Sequence, residues 1–380
     1  MSEQHGFDTK AQQKARQYLY SGLALSLCKG VTILLLAFVV LSLRLHVALE
    51  ESVKAWVVEK WQSIALYFLI DYALFWLVTL PFDYLKEYIL EHRFELATEN
   101  FGKWFKDKVK MLILYIAFML LFVEGVYFSM SQSPAHWWLF TWIISAVFVV
   151  LFSYAFPVLI MPMFYKFPKI SDETLLKKLT SLSEKAGVRV VGVYEMKAGE
   201  KTKKAFAALA GIANTRRMLL SDTFLANYTS DEIESVMGHE LGHHVYHHIG
   251  KATLLTMFFF LVVLIVTDKI LRVTMSFFGV NEMASIASLP LLALVFGLIY
   301  TVSIPIFNTY SRWQEGQSDQ YELDLVDKPD AYISSMTKLC DQNLRYAYPH
   351  PLTEFMFYDH PSGKKRVERA IKHKQGKTQE

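Results

Sequence analysis

The stretch VMGHELGHHVYHH, residues 236–248, gathers five histidines and one glutamate in a chain otherwise full of apolar runs. Within it His239, Glu240, Leu241, Gly242 and His243 spell H-E-x-x-H. Four residues of α-helix advance about 400°, so His239 and His243 stack on one face, where both imidazoles can reach one Zn²⁺ at about 2.0–2.1 Å. Glu240 projects far enough round the helix to address a water molecule instead of the ion. This is the donor pattern of a zinc hydrolase. As ordinary surface or core residues, a glutamate and two histidines on one face beside apolar spans carry a desolvation cost that coordination would remove. His247 continues the stripe, but on a straight helix it stands about 12 Å from His239 along the axis, too far to share an ion. His244, His247 and His248 are therefore expected at the membrane interface or behind the ligands.

A catalytic zinc keeps three protein ligands and one open position, so a further ligand has to come from elsewhere. SRWQEGQSDQYELDLV, residues 311–326, offers Glu315, with Asp319 one helical turn on and able to hydrogen-bond a ligand histidine. Nearer the C-terminus, FMFYDHPSGKKRVERAI holds His360, kept extended or turned by Pro361, and Arg366 on an expected helix. A histidine and a guanidinium near the ion are candidates to stabilise the oxyanion of a tetrahedral intermediate. Lys364, Lys365 and Lys372 fit lipid headgroups better. No organic cofactor is expected.

The elements that must position these groups are mostly membrane spans. An α-helix needs about 20 apolar residues to cross the hydrocarbon core. Six segments qualify: about 21–43, 63–82, 111–130, 137–163, 252–277 and 287–309, the third and fourth forming a hairpin across SQSPAH. Residues 83–110 carry six Lys and Arg (Lys86, Arg93, Lys103, Lys106, Lys108, Lys110), residues 44–62 carry three, and SQSPAH none. That asymmetry puts both termini, the 83–110 loop and the polar regions 164–251 and 310–380 on the cytoplasmic side. In the first polar region, SDETLLKKLTSLSEKAG has helical spacing of Leu175, Leu176, Leu179 and Leu182, with Ser171 as N-cap and Gly187 as stop. VRVVGVYEM, KAFAALAG and RRMLLSDTF read as three short strands. Thr229 and Glu232 have capping-box spacing ahead of the histidine helix.

Composition agrees. Of the 380 residues, 53% are hydrophobic, 15% aromatic and only 20% charged, far richer in apolar side chains than a soluble core requires. A formal charge of +3, with both signs interspersed, excludes a nucleic-acid partner. Cys28 and Cys340, at opposite ends of the chain, build neither a disulfide framework nor a thiolate metal site. The first twenty residues are polar and hold no short apolar core ending at a small-residue cleavage site, so no cleaved signal peptide is expected.

Together these residues resemble the integral-membrane zinc metalloproteases of the CAAX prenyl protease family, type I endopeptidases, in a short, bacterial-like form. IMPMFYKF (160–167), DEIESVMGHELGHH (231–244), SRWQEGQSD (311–319) and DHPSGKKR (359–366) occur in the family's order and spacing, and YILEHRFELATENF (88–101) resembles its loop before the third span. The resemblance runs from about residue 15 to 370. It implies that His239, His243 and Glu315 bind one zinc, that Glu240 is the general base, that Asp319 supports the site, and that His360 and Arg366 contact substrate or the oxyanion. The implied fold is a mainly α polytopic membrane protein of about six transmembrane helices with a cytoplasmic α+β zincin-like domain. Its parts are residues 1–165 with four spans, 166–251 with the histidine helix, 252–309 with two spans, and 310–380 completing the zinc site. Ionisable Asp71 and Glu124 inside spans suit the water-filled interior such proteins enclose. The implied activity is endoproteolysis near the membrane, removing the C-terminal tripeptide from prenylated proteins. Expected partners are a peptide or membrane-protein substrate and the bilayer, in a bacterial inner membrane or an endoplasmic reticulum, with the active site toward the cytoplasm. A quality-control metalloprotease of the heat-shock zincin type is the alternative, and a non-catalytic zinc-stabilised scaffold a more distant one. One departure concerns the strand flanking the substrate, where the family's Asn-Ala is replaced by Lys204-Ala205.

Overall fold

In a bilayer the backbone has to satisfy its own hydrogen bonds, which restricts long apolar runs to helices or closed barrels. The computed structural model describes residues 5–211 and 215–379 and is mostly helical. In chain order the elements are α1 (Thr9–Ser42), α2 (Leu45–Trp56), α3 (Lys60–Asp83), α4 (Glu91–Arg93), α5 (Phe101–Gln132), α6 (Trp137–Ala155), α7 (Glu173–Lys185), β1 (Gly192–Met196), β2 (Ala207–Ala210) and β3 (Arg217–Ser221). They continue with α8 (Asp222–Asn227), α9 (Ser230–Val245), α10 (His248–Thr274), α11 (Leu289–Val326), α12 (Pro329–Gln342), α13 (Pro351–Phe357) and α14 (Gly363–Gln379).

Among the described residues, five helical stretches are long and apolar enough to span a membrane: α1, α3 continued through a π-helical segment into α4, α5, α10 and α11. The expected fourth span, 137–163, is a further stretch if its two halves are taken together: it is bent by 41° between Trp137–Ser153 and Phe156–Met163, where Pro157 removes a backbone donor. Outward faces are apolar and exposed, as at Leu27, Leu35 and Phe38 of α1 and Val302 and Ile306 of α11, which suits contact with lipid tails. Between the spans, Tyr67, Tyr127, Met130, Trp137, Leu264 and Leu271 form a buried core. Trp137 donates from Nε1 to Asp268 at 2.7 Å, tying the α5–α6 hairpin to α10.

Two helices exceed the apolar runs within them. α1 begins at Thr9, because Asp8 caps it by accepting from the Ala11 N–H at 2.6 Å, and its polar first turns reach the C-terminal region, where Gln12 bonds Asp341. α11 carries on unbroken past its apolar part, so the segment holding Glu315 and Asp319 extends a membrane helix. Pro305 does not interrupt it. The stretch 44–62, expected as loop, contains α2. The N-cap of α7 is Asp172, not Ser171: its carboxylate accepts from Thr174 and Leu175 N–H.

The small sheet has the order β1-β3-β2, with β1 parallel and β2 antiparallel to β3. It packs with α7, α9, α11 and α12 around Leu179, Met218, Leu220, Phe224, Met237, Leu241, Leu323 and Tyr332. β2 is an edge strand lying beside α9.

Candidate metal centre

Helix α9 starts with a complete capping box. Thr229 Oγ1 accepts from the Glu232 N–H, and Glu232 Oε2 accepts from the Thr229 N–H at 2.8 Å. Ser334 and Lys338 of α12 hold the same glutamate, so the start of the helix is fixed to its neighbour. Gly238 and Gly242 then let α11 come close. A Cβ at Gly238 would meet Val326 Cγ2 at 2.7 Å, and one at Gly242 would lie 3.1 Å from the Ser318 Cα. Two glycines four residues apart form one bare stripe on α9, along which α11 packs. This approach carries Glu315 to the histidines.

The helix ends sooner than its histidine run. Its last residue is Val245; His247 takes a left-handed conformation, φ 55°, and α10 restarts at His248. The straight stripe expected through His247 is therefore broken. No glycine or proline marks the place. His247 is exposed, His244 reaches back to the Leu209 carbonyl of β2 at 3.3 Å, and His248 is buried.

Nε2 of His239 and Nε2 of His243 lie 3.2 Å apart, and the Glu315 carboxylate approaches them at 3.1 and 3.2 Å. A tetrahedral ion with bonds of about 2.0–2.1 Å separates its ligand atoms by about 3.4 Å, so the three groups fit one cation. Oε2 of Glu315 is buried, and the polar atom beside it is Nε2 of His239, which would share the same ion with it. Burial alone would lower the basicity of His239, but the carboxylates of Asp319 and Glu315 beside its two nitrogens outweigh that and push its pKa up to about 10. The pocket favours positive charge, which a metal dication supplies.

Behind His239, its Nδ1 is 3.0 Å from Oδ1 of Asp319, which is fully buried. Arg366 and Arg369 both pair with that carboxylate, Arg369 at 2.8 Å, and Arg366 also reaches Tyr332 Oη at 3.3 Å. Arg366, expected at substrate or the oxyanion, thus lies against Asp319 on the Nδ1 side of His239, the side away from Glu315. The unmatched carboxylate of Asp319 draws it there, since a buried charge requires a partner. Arg369 and Tyr332, which sequence reasoning missed, complete this network; the only signal was that Arg369 follows Arg366 at a spacing of three. His360 is in front: its Nε2 is 3.3 Å from Glu315 Oε1, its Nδ1 2.8 Å from Asp359, and its side chain is 29% exposed. Glu240 is partly accessible and electrostatically coupled to His239, His243, Glu315 and His360; shielding from solvent raises its pKa above the usual carboxylate range, while the histidines oppose the rise. Lys204 bonds Glu91 at 2.9 Å and Tyr18 Oη at 3.1 Å, so its charge is already matched within the chain.

Residues 3–166 match the family model described as CAAX prenyl protease N-terminal, five membrane helices, and residues 170–374 match the model of peptidase family M48. A Bacillus subtilis (strain 168) protein, uncharacterized metalloprotease YhfN, is 30% identical over 300 residues, covering 78% of this chain and 70% of that protein. CAAX prenyl protease 1 of Saccharomyces cerevisiae is 26% identical over 313 residues, 77% of this chain and 68% of that one. The crystal structure of Ste24p from S. mikatae superimposes with a TM-score of 0.85 at 21% identity, over 96% of this chain and 89% of that one, which establishes a common fold. With its membrane helices and its cluster of metal-ligating groups, the chain belongs to peptidase family M48 and is a multi-pass membrane metalloendopeptidase.

Proposed function

We propose that the chain is a zinc endopeptidase that cuts peptides at the cytoplasmic face of its membrane, with prenylated C-terminal peptides as its substrate class. The observation that carries the reading is the meeting of His239, His243 and Glu315 in one largely buried cluster with Glu240 and His360 alongside. Two imidazoles and one carboxylate are the donor set of a catalytic zinc with an open position. Zinc held there would polarise the scissile carbonyl and acidify a water molecule to a pKa of about 7.

The chain's own residues do the rest. Glu240 takes the proton of the attacking water and returns it to the leaving amine. His360, fixed by Asp359 and open to solvent on one side, is placed to donate to the developing oxyanion. Asp319 orients His239, and Arg366 and Arg369 hold Asp319. An extended peptide adds to the edge of β2, which His244 secures to the zinc-site helix through Leu209. The cytoplasmic placement rests on the Lys- and Arg-rich 83–110 loop. The substrate class is supported by the relatives bearing the CAAX prenyl protease name.

The test is to incubate the detergent-purified protein with farnesylated and unfarnesylated forms of one CAAX peptide, with and without a zinc chelator. Cleavage of the farnesylated form alone, abolished by chelator and restored by zinc, is expected. Equal cleavage of both forms would remove the prenyl requirement, and chelator-resistant cleavage would remove the metal.

A further inference from the structure

The two candidate imidazole ligands are supported differently. His239 has a carboxylate behind it. His243 has another histidine: its Nδ1 is 3.1 Å from Nδ1 of His248, whose Nε2 is 3.1 Å from Oε1 of Gln317. His248 is 2% exposed. Ser318 Oγ lies 3.4 Å from the same Nδ1, and Gln314 Nε2 donates to the His248 carbonyl at 3.2 Å. Both come from α11, the helix that carries Glu315.

On an uninterrupted helix, residues five apart point about 140° away from each other, and their rings do not meet. Here the left-handed turn at His247 ends α9 and folds the start of α10 back, which lays His248 against His243. The break between the helices is what makes the contact.

The contact fixes where the protons are. Two facing Nδ1 atoms form a hydrogen bond only when one carries a proton and the other a lone pair. Nε2 of His243 faces the cluster, 3.2 Å from both Glu315 Oε1 and His239 Nε2, so as a ligand it keeps its lone pair there and carries its proton on Nδ1. His248 then accepts at Nδ1 and donates from Nε2–H to Gln317 Oε1. Each donor in the chain His243–His248–Gln317 meets one acceptor, in one tautomer of each ring.

We infer that His248, backed by Gln317, is a positioning residue that holds His243 in its metal-binding tautomer and ring orientation, the counterpart on that ligand of Asp319 on His239. The inference rests on the zinc reading above. A neutral partner also suits the charge of the site. Asp319 is already balanced by two guanidinium groups, so adding no charge behind His243 leaves the Glu315 carboxylate as the negative group facing the ion.

The experiment measures zinc affinity of the full-length, detergent-purified protein by chelator competition, and the melting temperature of each variant after metal removal. His248→Ala should weaken zinc binding by about 10–100-fold, the usual loss when a ligand's hydrogen-bond partner is removed. His248→Asn should recover most of it, because asparagine Oδ1 occupies the place of Nδ1 and accepts the same N–H. His247→Asn, at an exposed left-handed position that asparagine tolerates, should bind zinc as wild type does. Wild-type affinity in His248→Ala overturns the inference. So does a loss that His248→Asn fails to restore while the metal-free melting temperatures of both variants fall together, since His248 would then only fill space. Wild-type protein that takes up no zinc in the same assay overturns the metal centre itself, and the inference with it.

Discussion

Arg366 and Asp319 are two buried charges that hold each other and, through Asp319, hold His239. Removing one member of a buried pair typically costs about 3–5 kcal/mol. Arg369 keeps one contact with Asp319, so Arg366→Ala is expected near the low end, about 3 kcal/mol, together with a roughly 10–100-fold loss of zinc affinity. A group at the oxyanion would behave differently: kcat would fall while zinc affinity stayed put. Chelator competition and steady-state kinetics on the one variant separate the two. The sequence made His239, Glu240 and His243 legible because their geometry is set by four residues of helix. Glu315 was legible as a candidate for the third ligand that an open zinc site demands, and through the SRWQEGQSD motif, not from any spacing to the histidines. The side of His239 on which Arg366 lies depends on where Asp319 needs a counter-charge, and no local spacing encodes that.

At the scale of elements, the site exists where α9 and α11 touch, and that contact depends on Gly238 and Gly242. A larger side chain at Gly242 competes with the Ser318 backbone and the Tyr321 ring, both within 3.2 Å of where its Cβ would stand. Replacing glycine inside a helix gains up to about 1 kcal/mol of propensity, whereas overpacking costs about 1–3 kcal/mol. For Gly242→Leu the overpacking should win, lowering both the melting temperature and zinc affinity as α11 is pushed away with Glu315. Gly250→Ala, with open space at its Cβ, should show the propensity gain alone. Apolar patterning predicted the spans, α7, α9 and the three strands, since each pattern is local, but it left out α2, α8, α12 and α13 and carried the third strand on into α8. It missed the ends of α1 and α11, whose polar turns are stabilised by caps and by the rest of the protein instead of by lipid. It also missed the break at His247, where φ is 55°, a conformation that histidine tolerates but does not signal.

Taken whole, the molecule places a small α+β cap on a bundle of membrane helices, and the candidate centre draws one side from each: His239 and His243 from the cap helix α9, Glu315 from the extension of membrane helix α11. Hydropathy alone was enough to foresee the bundle, because about 20 apolar residues leave the chain few other solutions in a bilayer. The bend in the fourth span, 137–163, was beyond it, lying at Pro157 within a run that is apolar on both sides. The most direct test of a cap and bundle joined in one hydrolytic centre is peptide hydrolysis by Glu240→Gln in samples whose zinc content is measured alongside. Glutamine is close in size and cannot take a proton, so the variant should hold about one zinc per chain and lose at least about 10²–10⁴-fold in rate. Hydrolysis at the wild-type rate with zinc in place would contradict the account.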